Sequence, residues 1–196
     1  MIFADYTETQ KIYHIISMYD LKDTLENGIN YDDKVTYNTK YKGFHSLIDQ
    51  EKTEAIPQWV IRKKAIFGSL NYNDSFSFYS NSVVLGIKIN PKKSWVANEI
   101  LANENYAPFF LKEIEFFTDA DNFFKEKGKE LLKAYWETSL SFKDNLKKRM
   151  DKKEGYDAEI LIFHNICPEN IEIEFIISSH QRYTPEEWKK KYCEKN

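Results

Sequence analysis

Residues Asp157–Ser178 read DAEILIFHNICPENIEIEFIIS, and the fold turns on how this stretch is read. Two apolar runs flank a short turn that carries Cys167 and Pro168. Their length and β-branched content predict two strands, the second an Ile-rich partner of the first. In a period-two strand Glu159 shares a face with Leu161 and Phe163, while Ile160 and Ile162 point the other way. A carboxylate in such a strand costs free energy unless it finds a partner or a ligand. Glu159 is therefore either the exposed first residue of a strand or a functional acid.

The 196 residues suit one domain with a sizeable core. A net charge of -3 gives no global footprint of a nucleic-acid binder. Lys143–Lys153 holds six basic and two acidic residues, either a solvated helix end or a phosphate-binding patch. Aromatic residues reach 16%, which suits a large core or a groove that stacks planar ligands. The two cysteines form neither a disulfide framework nor a zinc spacing, so a reducing cytoplasm is expected. The opening MIFADYTETQ lacks the pattern of a signal peptide, and no apolar run has the length of a membrane helix.

Upstream, Lys11–Ile16 reads as a strand that carries His14. Ser17 with Asp20 three residues on suggests a capping box. A helix bearing Leu21 and Leu25 follows and stops at Gly28, with Ile29 as its hydrophobic contact. Asn30–Gln58 is polar, with weak helical spacing around Phe44, Leu47 and Ile48; it reads as a functional loop or lid, or as two short helices. Lys64–Leu70, Ser82–Ile89 and Ser94–Asn98 read as strands. Gly68 and Gly86 mark bulges or close approaches in the first two. Asn105–Lys153 is the helical part, its apolar stripe running through Phe124, Leu131, Tyr135, Phe142 and Leu146, with Gly128 as a possible break. Thr184-Pro185-Glu186-Glu187 begins a last helix. Strands, helices and a closing strand pair in that order make an α+β protein. His14, His45, His164 and His180 show no metal or paired spacing.

The two ends together carry a resemblance. Tyr13-His14-Ile15 followed by Leu21, Leu25 and Gly28-Ile29 resembles the first motif of ADP-ribosyltransferase-fold proteins. AEILIFHNICPENIEIEFI resembles their last: an acid, an aliphatic strand, a turn with Pro, then an Ile-rich strand. The nearest likeness is the DarT-like branch, DNA-targeting transferases of bacterial toxin–antitoxin systems. The resemblance implies two small antiparallel sheets forming a cleft with flanking helices, and NAD as substrate. It makes Glu159 the catalytic acid and places Arg62 where that branch carries an arginine for catalysis or phosphate binding. Tyr13 and His14 would hold NAD, and Tyr72 or Tyr79 would stack on nicotinamide. The acceptor would be a nucleic acid or a protein, and an antitoxin protein a further partner. Asp157 stands where protein-modifying branches carry Gln or Glu, and the threonine- and asparagine-containing NAD loop has only Tyr37-Asn38-Thr39 as a substitute. An RNA 2′-phosphotransferase-like enzyme and a non-catalytic binding module are the alternatives.

Overall fold

The computed structural model describes residues 4–31, 39–70, 80–117 and 119–193. In chain order these begin with helix α1 (Tyr6–Thr9), strand β1 (Ile12–Ser17) and helices α2 (Leu21–Asn27) and α3 (Thr39–Gln50). Strands β2 (Ile66–Ser69), β3 (Ser82–Ile87) and β4 (Ser94–Asn98) follow, then helices α4 (Glu99–Asn103), α5 (Tyr106–Leu111), α6 (Asp119–Phe123) and α7 (Lys129–Glu137). The chain closes with β5 (Leu140–Ser141), α8 (Phe142–Lys148), β6 (Ala158–Ile162), β7 (Ile171–Ser178), β8 (Gln181–Tyr183) and α9 (Pro185–Tyr192). The mixed α+β class expected from the sequence is present.

The chain divides into two compact units, one of residues 1–31, 67–90 and 164–196, the other of residues 32–66 and 91–163. In the first, strands lie in the hydrogen-bonded order β2-β1-β3-β7-β8, and every pair is antiparallel. Tyr13, Val84 and Ile177 are buried together, with Ile15 and Phe175 against them. All of β3 is buried, as expected of a strand covered on both faces. The β3–β7 register slips between Val84 and Leu85, whose partners are Phe175 and Ile173, so Glu174 is the extra residue of a bulge. Its carboxylate lies over Gly86, where an added Cβ would come within 2.3 Å of Oε1. Lys11 Nζ donates to Glu174 at 2.9 Å and to Glu172 at 2.6 Å. The close approach expected at Gly86 is thus to a side chain of the neighbouring strand.

The start of this unit follows the sequence reading with one change. Ser17 accepts from the Tyr19 N–H and opens a single 3-10 turn, Met18–Asp20, before α2; there is no reciprocal capping box. Gly28 stops α2 with φ of 80°. Next to it, Ile29 and Ile166 exchange backbone hydrogen bonds of 2.9 Å in both directions. At the other end Thr184 and Glu187 form the capping box of α9, with Pro185 in its first turn.

In the second unit β5-β4-β6 are antiparallel, with Trp95 opposite Leu161 and Ala97 opposite Glu159. The expected closing strand pair is therefore corrected: β6 pairs with β4, and β7 takes β3 and β8, both in its own unit. Two further readings change here. The part of Asn30–Gln58 from Thr39 to Gln50 is one helix, α3, and not a loop. It buries Phe44 and Ile48, one turn apart, and Trp136 Nε1–H donates to the Ile48 carbonyl at 2.7 Å. The apolar stripe of Asn105–Lys153 is cut into several helices. Leu140 and Ser141 leave helical geometry to pair with Val96 and Trp95, and Ser141 then caps α8 by accepting from the Asp144 N–H. Gly128 ends a π-helical turn, Phe124–Gly128, where a Cβ would meet Asn105 Oδ1 at 2.8 Å.

Candidate active site

The chemistry-bearing cluster of the second unit centres on Glu159. It is 3% exposed, which removes the reading of a solvated strand-end charge. Its neighbours Ile160, Leu161 and Ile162 are fully buried, so β6 carries the carboxylate into the core. Arg62 meets it there from the 3-10 turn Arg62–Lys64. Arg62 Nη2 donates to Oε2 at 2.8 Å and to Oε1 at 3.0 Å, and Nε donates to Oε1 at 3.2 Å. Tyr135, on α7, donates its O–H to Oε1 at 2.6 Å and accepts from Arg62 Nε at 3.0 Å. A charge-assisted, forked pair of this kind satisfies both ions in a dry environment. Burial opposes the guanidinium's charge, but the charge and bonds of Glu159, with Tyr135, outweigh it and raise the pKa of Arg62. Burial, and then the charge of Glu159, push the Tyr135 phenol well above its ordinary range.

α3 positions the arginine. Asp49 accepts from the backbone N–H of Arg62 at 2.7 Å and of Lys63 at 3.0 Å, holding both ends of its carboxylate on that turn. Burial raises the Asp49 pKa against those two hydrogen bonds. His45, buried one turn earlier, receives Arg62 Nη1–H on Nδ1, so its proton sits on Nε2. Lys52 Nζ donates to the Val60 carbonyl at 3.0 Å and ties down the segment that leads to Arg62.

Two more acids stand beside Glu159. Burial first, then the charges of Glu159 and Asp157, raise Glu99 to about 7. Burial, and then Glu159, raise Asp157 as well. Tyr156 moves upward for the same two reasons. Perturbed groups gathered around one charge partner are a mark of functional sites, although structural ion pairs produce the same pattern. Among the described residues no group of three or more His, Cys, Asp or Glu is placed to hold a metal ion.

Of the residues singled out in the sequence, the structure brings Glu159 and Arg62 into contact. Tyr13 and His14 lie in the first unit. Tyr13 is 2% exposed in its core, and His14 Nδ1 is 2.6 Å from the Phe67 carbonyl oxygen. Tyr72 and Tyr79 fall outside the described residues, as does most of Tyr37-Asn38-Thr39. Sequence reasoning missed Tyr135, which it assigned to an apolar stripe. The one available signal was that a buried tyrosine needs a partner for its hydroxyl. It also missed His45, Asp49 and Glu99. Cys167 and Cys193 are exposed free thiols, and no described helix is long and apolar enough to cross a membrane.

No family model, curated protein or solved structure matches the chain.

Proposed function

We propose that the chain is an NAD-dependent ADP-ribosyltransferase in which Glu159 supplies the reacting negative charge. The observation that carries this reading is the contact between Arg62 and Glu159, residues 97 positions apart that the DarT-like resemblance had separately assigned to catalysis. Breaking the bond between ribose and nicotinamide builds positive charge on the sugar. A carboxylate fixed in a low-dielectric setting stabilises that charge more than it stabilises bound NAD. Arg62, Tyr135 and Asp49 fix the carboxylate in advance, so little reorganisation is needed at the moment of reaction. Burial and then the charge of Glu159 raise the pKa of both Glu99 and Asp157, so that charge is felt beyond its pair with Arg62. The cleft between two small sheets, the contribution of Tyr13, His14, Tyr72 and Tyr79 to NAD binding, and an acceptor that is a nucleic acid or a protein rest on the resemblance.

The test is incubation of purified protein with NAD labelled in the nicotinamide ring. Wild type releases nicotinamide, and Glu159→Gln slows release by about 10²-fold or more, the scale of losing one preorganised electrostatic group. Bound NAD with no nicotinamide released by wild type refutes the enzyme. An unchanged rate in Glu159→Gln refutes the acid.

A second reading is favoured by the burial itself. With both oxygens of Glu159 engaged by Arg62 and Tyr135, the network also suits a non-catalytic module of this fold that binds a regulatory partner. The absence of turnover in wild type selects it.

A further inference from the structure

We infer that Glu99 is the second carboxylate of the site, the one that takes the proton of the attacking group while Glu159 remains paired with Arg62 and Tyr135. This rests on the transferase reading above. It starts from register: Ala97 faces Glu159 and Asn98 faces Ala158 across the β4–β6 ladder. The ladder runs one step beyond β4, because the Glu99 N–H donates to the Asp157 carbonyl at 2.8 Å. Side chains at opposed positions of antiparallel strands share a face, and so do positions two apart. Glu99 and Asp157 therefore continue the face that presents Glu159.

Asn98 locks this end. Its Oδ1 accepts from the Asp157 N–H at 3.0 Å and from the Ile100 N–H at 3.3 Å, and its Nδ2 donates to the Gly155 carbonyl at 3.0 Å. One buried side chain thus fixes both the strand start that carries Asp157 and the turn that carries Glu99.

The two glutamates differ in what they are free to do. Glu159 is nearly inaccessible and accepts three donors from two side chains. Glu99 is partly exposed. The groups that bear on its carboxyl are Glu159 on β6, Asp157 just before that strand, Arg62 in its 3-10 turn, and Asn103 one turn along α4. α7, which packs on α4, carries Tyr135, and its Lys133 is paired with Glu137 at 3.6 Å. A carboxyl raised to about 7 exchanges protons at neutral pH, as a general base must. In the step, Glu99 accepts a proton from water or an acceptor X–H, and X forms a bond to the ribose anomeric carbon. The bond to nicotinamide breaks with its electron pair on the ring nitrogen, which leaves neutral nicotinamide and a protonated Glu99.

The experiment measures nicotinamide release from NAD between about pH 5.5 and about pH 8.5 for wild type, Glu99→Gln, Glu99→Asp and Glu159→Gln, each checked for folding by its melting curve. Wild type is expected to gain rate through neutral pH and then level off. Glu99→Gln is expected to lose about 10²-fold or more together with that rising limb, and Glu99→Asp to recover part of both. A Glu99→Gln protein that keeps the wild-type rate and limb overturns the assignment while leaving the transferase reading intact. A folded wild type that releases no nicotinamide overturns both. If Glu99→Gln fails to fold, a Glu99→Asp protein with the wild-type rate and limb overturns the assignment.

Discussion

Replacing Arg62 with methionine isolates the energetics of the buried network. The substitution keeps an unbranched apolar stem but removes the guanidinium that Glu159 meets at 2.8 to 3.2 Å. Arg62 and Glu159 are each 3% exposed, so water does not replace the lost partner. Leaving one charge of a buried pair behind costs about 3–5 kcal/mol. For a chain of this length that corresponds to a fall in Tm of roughly 6–20 °C. The same substitution placed beside Glu159→Leu removes both charges, and apolar replacement of a whole pair is often close to neutral. The double variant is therefore expected to be more stable than the sum of the single losses by at least ~2 kcal/mol, a coupling that residues in contact show and distant ones do not. Urea unfolding at neutral pH, followed by circular dichroism across the four proteins, reads this directly. If Arg62→Met costs less than about 1 kcal/mol, or if the double variant equals the sum of the singles, the network is not coupled as argued.

Three further outcomes are expected. Tyr135→Phe removes a donor to Glu159 at 2.6 Å and an acceptor of Arg62 Nε, and should cost about 1–3 kcal/mol in the same assay; a change within a few tenths of a kcal/mol would show the hydroxyl to be irrelevant. Gly28→Ala combines a φ of 80° with a Cβ only 2.2 Å from the Ile166 carbonyl oxygen, so it should lower Tm by several degrees, whereas an unchanged melting curve would contradict the tight stop after α2. Glu99 binds its proton more tightly folded than unfolded, its pKa rising from 4.5 to about 7. Its stabilising contribution is complete below about pH 4.5 and is lost as pH rises through about 7, and Asp157, also raised, acts in the same sense. Stability should thus fall by roughly 1–3 kcal/mol from this group between about pH 5 and about pH 8, and Glu99→Gln should flatten that slope in urea midpoints taken across the range.

Much of this molecule is legible before folding. The strands around His14, Val84, Glu159 and Ile173 follow from short runs rich in β-branched and apolar residues, a property of each segment alone. The Gly28 stop and the helix start at Thr184-Pro185 are local too, set by which backbone angles and donors one turn requires. Glu159 stood out because a carboxylate in an apolar strand needs an explanation wherever the strand lies. α3 was harder to read, since its buried face is narrow, with Phe44, His45 and Ile48 among polar residues. The stripe through Tyr135 and Phe142 gave helices but not the break at Leu140, where two residues leave the helix for a ladder with β4.

Tertiary structure alone decided the pairings. The runs on either side of Cys167-Pro168 adjoin in sequence, yet β6 bonds to β4 and β7 to β3 and β8. Which edge a strand joins depends on the hydrogen bonding and desolvation of distant segments, and nearness along the chain does not encode that. The same holds at Glu159. Its sequence neighbours say that the charge must be compensated, but Arg62, Tyr135 and Glu99 are gathered around it from three separate elements. A buried charge specifies only that a partner is required; the packing of the whole unit determines which one arrives.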